Sequence, residues 1–332
     1  KMDKKFMDYI KENIKEYLPD AFVDASVVIE ETLRNNDRIC QGLMICRKGE
    51  TITPRIYLED YEKRYEMGEA FEQILQEIAA LRVLLDRGDE SIISVLEDYD
   101  SIKQNLVFSM CDPELNQQQL KYHVHTQCGK YTAMYRVILE QKGNSIASIP
   151  VTHNHLKMWR ITEKQLYEDT IQAENRRGFG LVRMSELVKE INSYYSEEPF
   201  IATNLLEETD NGPGDCMYVL SNLARKFGAG AIMHTELFEK IGQILGCDYF
   251  ILPASVHELA IIPDPGNQSQ QEIEERVREA NETQLDPKDI FSYHASFYDH
   301  DQKIVLPEKP DEKQCEVQEV TENNLEPLPV LN

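Results

Sequence analysis

The sequence predicts an α+β protein, and three observations predict it. Apolar residues recur at helical spacing in some stretches, as in Phe6, Ile10, Ile14 and Leu18. Elsewhere β-branched residues crowd into short runs bounded by turn residues, as in 25–33 (ASVVIEETL) before Asn35-Asn36-Asp37. The two patterns mix without the regular βαβ rhythm of a doubly wound sheet. The expected architecture is two lobes, each a small mixed or antiparallel sheet with packed helices. The lobes are expected over 1–140 and 145–305, joined near 140–150, with an acidic tail over 306–332 expected to be flexible.

The elements follow in order. The amphipathic N-terminal segment is a helix. Residues 25–33 and 39–46 (ICQGLMIC) are two strands of a hairpin, and 54–58 (PRIYL) adds a short extended piece. From 67 to 85 the helical period returns, with Phe71, Leu75, Ile78, Leu81 and Leu85 on one stripe. Residues 91–99 and 102–110 read as two short helices. Residues 131–139 (YTAMYRVIL) read as a strand ended by Gly143-Asn144.

In the second half Thr162 can cap a helix with Gln165 at the capping-box position, and Gly178 is its natural stop. Residues 184–195 form another helix, and Asn211-Gly212-Pro213-Gly214 a loop. Residues 217–220 (MYVL) and 229–233 (AGAIM) read as strands, and 235–245 as a helix capped by Thr235 with Leu237, Ile241 and Leu245 inward. Residues 249–253 and 259–263 pair as strands. A charged helix over 269–280 has Ser269 and Glu272 at capping-box spacing, and Asp286-Pro287 opens one more helix.

With 332 residues, 41% hydrophobic and 28% charged, the composition is that of a soluble globular chain. No apolar run approaches the ~20 residues that span a bilayer, and the N-terminal stretch has no apolar h-region. The formal net charge of −24 disfavours nucleic acid and anionic membranes as partners. An acidic face that meets a basic protein, or imitates DNA, is compatible with it. The seven cysteines are scattered and include no C-x-x-C pair, which suits reduced thiols in the cytoplasm. Cys128, beside Gly129 and near His125, is the cysteine to weigh as a nucleophile.

Catalytic chemistry has few places to be. Ser255, His257 and Glu258 lie together in ILPASVHELAIIPD, residues 251–264. On a strand, Ser255 and His257 would sit about 7 Å apart, too far for a serine and its base. No Gly-x-Ser-x-Gly elbow surrounds the serine, and Ser-x-x-Glu also matches a capping box. The expected role of the segment is a connection between strands, with His257 left as the residue for function. Two H-x-H pairs, His123/His125 and His153/His155, would each face one way on a strand and could hold zinc or iron beside a carboxylate. His294, Asp299, His300 and Asp301 make another polar cluster. Gly228-Ala229-Gly230 lacks both the P-loop lysine and the dinucleotide fingerprint. No cofactor is expected.

Several stretches carry a resemblance. Tyr218 to Asn222, Gly228-Ala229, Gly230-Ala231, the helix from Thr235, and Leu252 to Glu258 follow a Tyr-Val-Leu-Thr/Ser-Asn … Leu-Pro-Ser-Ser-Ile/Val-His-Glu pattern, with Ala254 where the first serine is usual. Upstream, NNDRICQGLMI, ITPRIYLEDYEKRYEMGEAFEQILQEI and HLKMWRITEKQLYEDTIQAENRR fit as well. The chain resembles, over most of residues 5–305, family 5688 of the domains of unknown function, found in gut anaerobes and frequently on mobile elements. The resemblance implies no activity. The expectation is a cytoplasmic, non-enzymatic interaction or regulatory protein with a protein partner. The alternatives are a hydrolase or metal-dependent enzyme using the His and carboxylate groups, and an acidic DNA-mimic inhibitor.

Overall fold

The computed structural model describes residues 2–50, 53–85, 96–142, 145–196, 198–208 and 214–310. The Gly143-Asn144 stop, the 211–213 part of the expected loop, the start of the 91–99 helix and the tail beyond 310 lie outside these residues. Within them the protein is α+β, with three antiparallel sheets.

The first sheet has the order β1-β2-β3, from Ser26–Arg34, Arg38–Cys46 and Arg55–Tyr57. The β1/β2 hairpin closes with Arg34 opposite Arg38. Its turn places Asn36 at φ 61° and Asp37 at φ 49°, a left-handed conformation that these short polar side chains tolerate. Three helices accompany it: α1 (Lys4–Asn13, capped by Asp3), α2 (Glu59–Glu66) and α3 (Phe71–Leu84). Phe6, Ile10 and Ile14 meet Leu43, Ile45, Ile56, Leu58, Ile74, Leu75 and Ile78 in one apolar core. The α3 stripe is rotated from the expected one. Ile74 and Arg82 are buried, and Arg82 pairs with buried Glu50 while its Nε donates to the Ile45 carbonyl at 2.9 Å.

After the short helices α4 (Tyr99–Ile102) and α5 (Gln117–Leu120), the second sheet is built on the long strand β6 (Tyr131–Lys142). β4 (Leu106–Cys111) pairs along one side of it, and β5 (His125–Cys128) and β7 (Ser145–Pro150) along the other. The expected helix over 102–110 is therefore corrected to a strand. All six residues of β4 are buried, so both of its faces are covered and alternation gives no sign of it.

α6 (His153–Trp159) and α7 (Glu163–Arg177) lead to the third sheet. It has the order β13-β12-β10-β11-β9-β8, made from Ile304–Leu306, Ser296–Asp299, Tyr249–Ser255, Glu258–Pro263, Tyr218–Asn222 and Phe179–Arg183. Strand β8, unmarked in the sequence reading, feeds directly into α8 (Met184–Ser193). α9 (Thr235–Leu245) and α10 (Gln270–Thr283) complete the fold. The expected strand over 229–233 is instead a fully buried 3-10 turn, Gly228–Met233. No helix begins at Asp286-Pro287: Asp286 accepts from Lys288 N in a turn. Thr162 caps α7 through the Gln165 amide, but the Gln165 side chain goes to Asp169. The cap of α9 is His234, not Thr235.

The larger apolar core draws on Phe108, Tyr131 and Tyr135 of the second sheet, on Leu156 and Leu166 of the helices, and on Leu220, Ile251 and Ile261 of the third. Its members come from both sides of residues 140–150.

Candidate functional site

Strands β10 and β11 pair as expected, Ile251 opposite Ile261, and the Val256-His257 connection is closed by Ser255 opposite Glu258. Ser255 is buried and its Oγ accepts the His257 N–H at 3.0 Å. The serine is thus bonded to the turn's own backbone. The His257 ring is bonded elsewhere: Nδ1 accepts the Phe227 N–H at 3.0 Å, which assigns the proton to Nε2, 3.6 Å from Asp289 Oδ1. Ser221 Oγ donates to the His257 carbonyl at 2.8 Å, and Val256 N–H donates to the Asp289 carbonyl at 2.9 Å.

Apart from the internal Ser255–His257 bond, the bonds at this turn tie it to β9, to the 223–227 loop and to Asp289. The 223–227 loop is clasped by Asn222, whose Nδ2 donates to the Lys226 carbonyl and whose Oδ1 accepts the Lys226 N–H. Arg225 and Phe227 take left-handed φ of 50° and 57° there. Gly228 follows because nothing larger fits. A Cβ at that position would lie 2.0 Å from Ser221 Oγ and 2.5 Å from the His257 carbonyl oxygen. Ser221, Asn222, Gly228 and His257, four residues of the resemblance pattern, therefore meet at one point. Their hydrogen bonds account for one another, and neither serine hydroxyl bonds the imidazole, as a triad requires.

The histidine pairs are placed differently from expectation. His153 and His155 open helix α6 and do not lie on a strand. His155 Nδ1 accepts the Thr152 N–H at 3.0 Å in a capping box, and its ring stacks 5.2 Å from Trp159. His153 points outward, 3.8 Å from Glu163. His123 sits in a single bridge to Thr152, and exposed His125 bonds the His123 carbonyl. Burial depresses the pKa of both His123 and His155, with Arg136 a further cause for His123. Among the described residues no three His, Cys, Asp or Glu side chains gather at metal-ligand spacing. Burial raises the Cys128 pKa, opposite to what a nucleophilic thiolate needs, and its Sγ faces the Ile232 carbonyl. In the last cluster His294 is beside Glu274, the His300 amide donates to Asp248, and Asp299 caps Gln302.

Two features were missed. Glu174 of α7 and His234 before α9 form a pair with both side chains buried. Nε2 lies 2.9 Å from Oε2, and Oε1 accepts the Phe108 N–H at 2.9 Å. The signal was available, because Glu174 lies on the helix face that buries Leu166, Thr170 and Ala173. The second feature is an apolar surface. α8 buries Leu187, yet Val188 and Ile191, at i, i+3 spacing, are 48% and 63% exposed, and Tyr194 and Tyr195, in the turn just past its end, are 72% and 96% exposed. Ile201, 81% exposed, extends the surface. The 200–203 segment is clipped alongside: Phe200 N–H donates to Ser193 Oγ, Ala202 N–H to Glu190 and Thr203 N–H to Glu186.

Fold and site define an α+β protein whose polar 255–258 turn is hydrogen-bonded to neighbouring backbone and whose α8 end carries exposed apolar side chains. Residues 3–300 match a family of unknown function, DUF5688, and the chain belongs to that family. No curated protein and no solved structure matches it.

Proposed function

We propose that this chain is a non-enzymatic interaction protein that docks a protein partner on the exposed face of α8 and the adjoining 200–203 segment. One observation carries the reading. An amphipathic helix that turns Val188 and Ile191 to solvent and runs into an exposed Tyr194-Tyr195 turn, on a chain with ample core, is the arrangement of a docking face. Tyr194 and Tyr195, in edge-to-face contact at 5.0 Å, supply the aromatic anchors common at interface centres. The partner is apolar at its centre and basic at its rim, because the chain carries a net charge of −24.

The compartment we propose is the cytoplasm, of a bacterium carrying mobile elements on the strength of the family resemblance. Its support is that the six cysteines among the described residues are free, and that no helix among those residues is long and apolar enough to cross a membrane.

The test compares partner capture from the native host by the full chain and by Ile191→Glu and Tyr195→Ala variants. Capture of one discrete protein that both variants lose, at an unchanged Tm, is expected. A captured protein retained equally by both variants excludes this face. Stoichiometric zinc, iron or manganese that is lost in a His153→Ala, His155→Ala double variant would replace the reading with a metal-dependent enzyme.

A further inference from the structure

On the third sheet an apolar row ends in a polar pocket. Ile262 lies opposite Phe250, Phe250 opposite Phe297, and Phe297 opposite Leu306, so four strands set these side chains on one face. Ile273 and Val277 of α10 belong to the same small core. The Phe250 and Phe297 rings meet edge to face at 5.1 Å. Asp264 follows β11 at the end of the row, and its side chain is 2% exposed. A turn fixes it in place. Its N–H donates to the Asp248 carbonyl at 2.9 Å, and its Oδ1 accepts the Gly266 N–H at 3.0 Å.

The other carboxylate oxygen, Oδ2, meets Lys309 Nζ at 2.6 Å. That ammonium also donates to the Gln268 carbonyl at 2.9 Å, and it stands 5.6 and 5.8 Å from the centres of the Phe250 and Phe297 rings. The Lys309 N–H donates to Gln270 Oε1 at 3.1 Å, and Gln270 Nε2 donates to the Ala295 carbonyl at 2.8 Å. Glu308 is paired with Lys130. Residues 307–310, the chain just past β13, are therefore a strap laid across the row.

The pocket has the parts that recognise a primary ammonium group. A buried carboxylate supplies charge, a backbone carbonyl takes a second N–H, and aromatic rings face the cation. None of these parts belongs to the strap. Gly266 orients the carboxylate, the Gln268 carbonyl sits just ahead of the Ser269 cap of α10, and the rings are held by the core. Without Lys309, the buried carboxylate keeps only the Gly266 N–H among the described residues. Such a charge is costly, so the emptied pocket demands another cation. The Lys309 side chain is 19% exposed, which leaves the pocket open to water.

We propose that Asp264, the Gln268 carbonyl, Phe250 and Phe297 form a binding site for a primary alkylammonium group, which the chain fills with its own Lys309, and that residues 307–310 are a releasable strap over it. The site lies toward the β13 edge of the third sheet, whereas α8 follows β8 at the opposite edge. It therefore stands or falls separately from the docking reading.

Propylammonium replaces the atoms that Lys309→Ala removes, so it tests the site in thermal unfolding of the full chain. Lys309→Ala should melt below the native protein, and propylammonium should restore at least about half of the lost Tm in a saturable way. Sodium chloride at matched ionic strength and the neutral 1-propanol should not. The native chain, its site already filled, should gain nothing beyond the chloride control. Adding Asp264→Asn to Lys309→Ala should abolish the response. A rise with 1-propanol equal to that with propylammonium overturns the ammonium class, and no saturable rise with propylammonium overturns the site. If Lys309→Ala does not fold, Asp264→Asn alone reads the strap: the Lys309 amide should exchange its hydrogen about tenfold faster or more than in the native protein. Unchanged exchange in that variant overturns the proposal.

Discussion

At the scale of single residues, the hydrogen bond from Phe227 N–H to His257 Nδ1 decides how the 255–258 turn is read. Phe227 holds a left-handed φ and its amide donates to His257 Nδ1, so His257→Ala, which removes that acceptor, should cost about 1–3 kcal/mol in denaturant unfolding. Leu252→Ala, at a position 7% exposed, should cost about 2–5 kcal/mol. A loss under about 0.5 kcal/mol for His257→Ala would return the imidazole to the list of free functional groups. Glu174 gives a pH signature. Burial is the largest cause of its raised pKa, ahead of the opposing bonds from His234 and Phe108. The folded state thus binds this proton more tightly than the unfolded chain. That contribution is complete below the ordinary glutamate value of about 4.3, and it fades as pH climbs through the folded-state value. Relative to Glu174→Gln, which can still accept from Phe108, the native protein should lose Tm as pH rises above about 4.5. A Tm difference that stays flat from acid to neutral pH would rule this out.

Elements were legible where one face meets water. The β1/β2 hairpin, α1, α7 and α10 are of this kind, and structure and sequence agree on them. β10 and β11 are buried along nearly their whole length and were legible instead as short apolar runs bounded by Pro253 and Pro263. Other fully buried segments were illegible. β4 shows six buried residues in a row, and Gly228–Met233 is buried along its whole length, so neither presents a period to read. The candidate turn was legible as a strand connection. What it touches was not, because Phe227, Ser221 and Asp289 arrive from elsewhere in the chain. Close approach explains the glycine in that buried turn. Gly228→Ala forces a Cβ into Ser221 Oγ and the backbone of Asn222 and His257, and overpacking of this kind costs about 1–3 kcal/mol. Gly180 in β8 is the control. Its added Cβ would meet Leu223 at 3.4 Å, an ordinary contact, so Gly180→Ala should be neutral or slightly stabilising. Equal melting temperatures for the two variants would show that Gly228 has room against Ser221, Asn222 and His257.

For the molecule as a whole, the arrangement of cores matters more than the arrangement of strands. Residues 6–79 bury their own apolar set, and the larger core takes residues from Ile102 to Tyr298. Between the two, the hairpin tip is tied on by polar bonds. Asn35 Nδ2 donates to the Lys288 and Ile290 carbonyls, Asn36 N–H donates to Asn116 Oδ1, and Asp37 accepts from the Gln118 and Gln119 amides. A division into lobes near 140–150 can be tested against this arrangement. β6 and β7 flank that region and pair with each other from Arg136 opposite Pro150 outward, and the core behind them is shared. A protease site inserted between residues 142 and 145 and then cut should leave two pieces held by that strand pairing and that core. Loss of one covalent link removes only loop-closure entropy, which is small beside an apolar core of this size. The cut protein should therefore elute as one species and melt in one main transition, slightly below the intact chain. Separation of the pieces in native buffer would mean that each half folds around its own core, and the two-lobe division would then hold at 140–150.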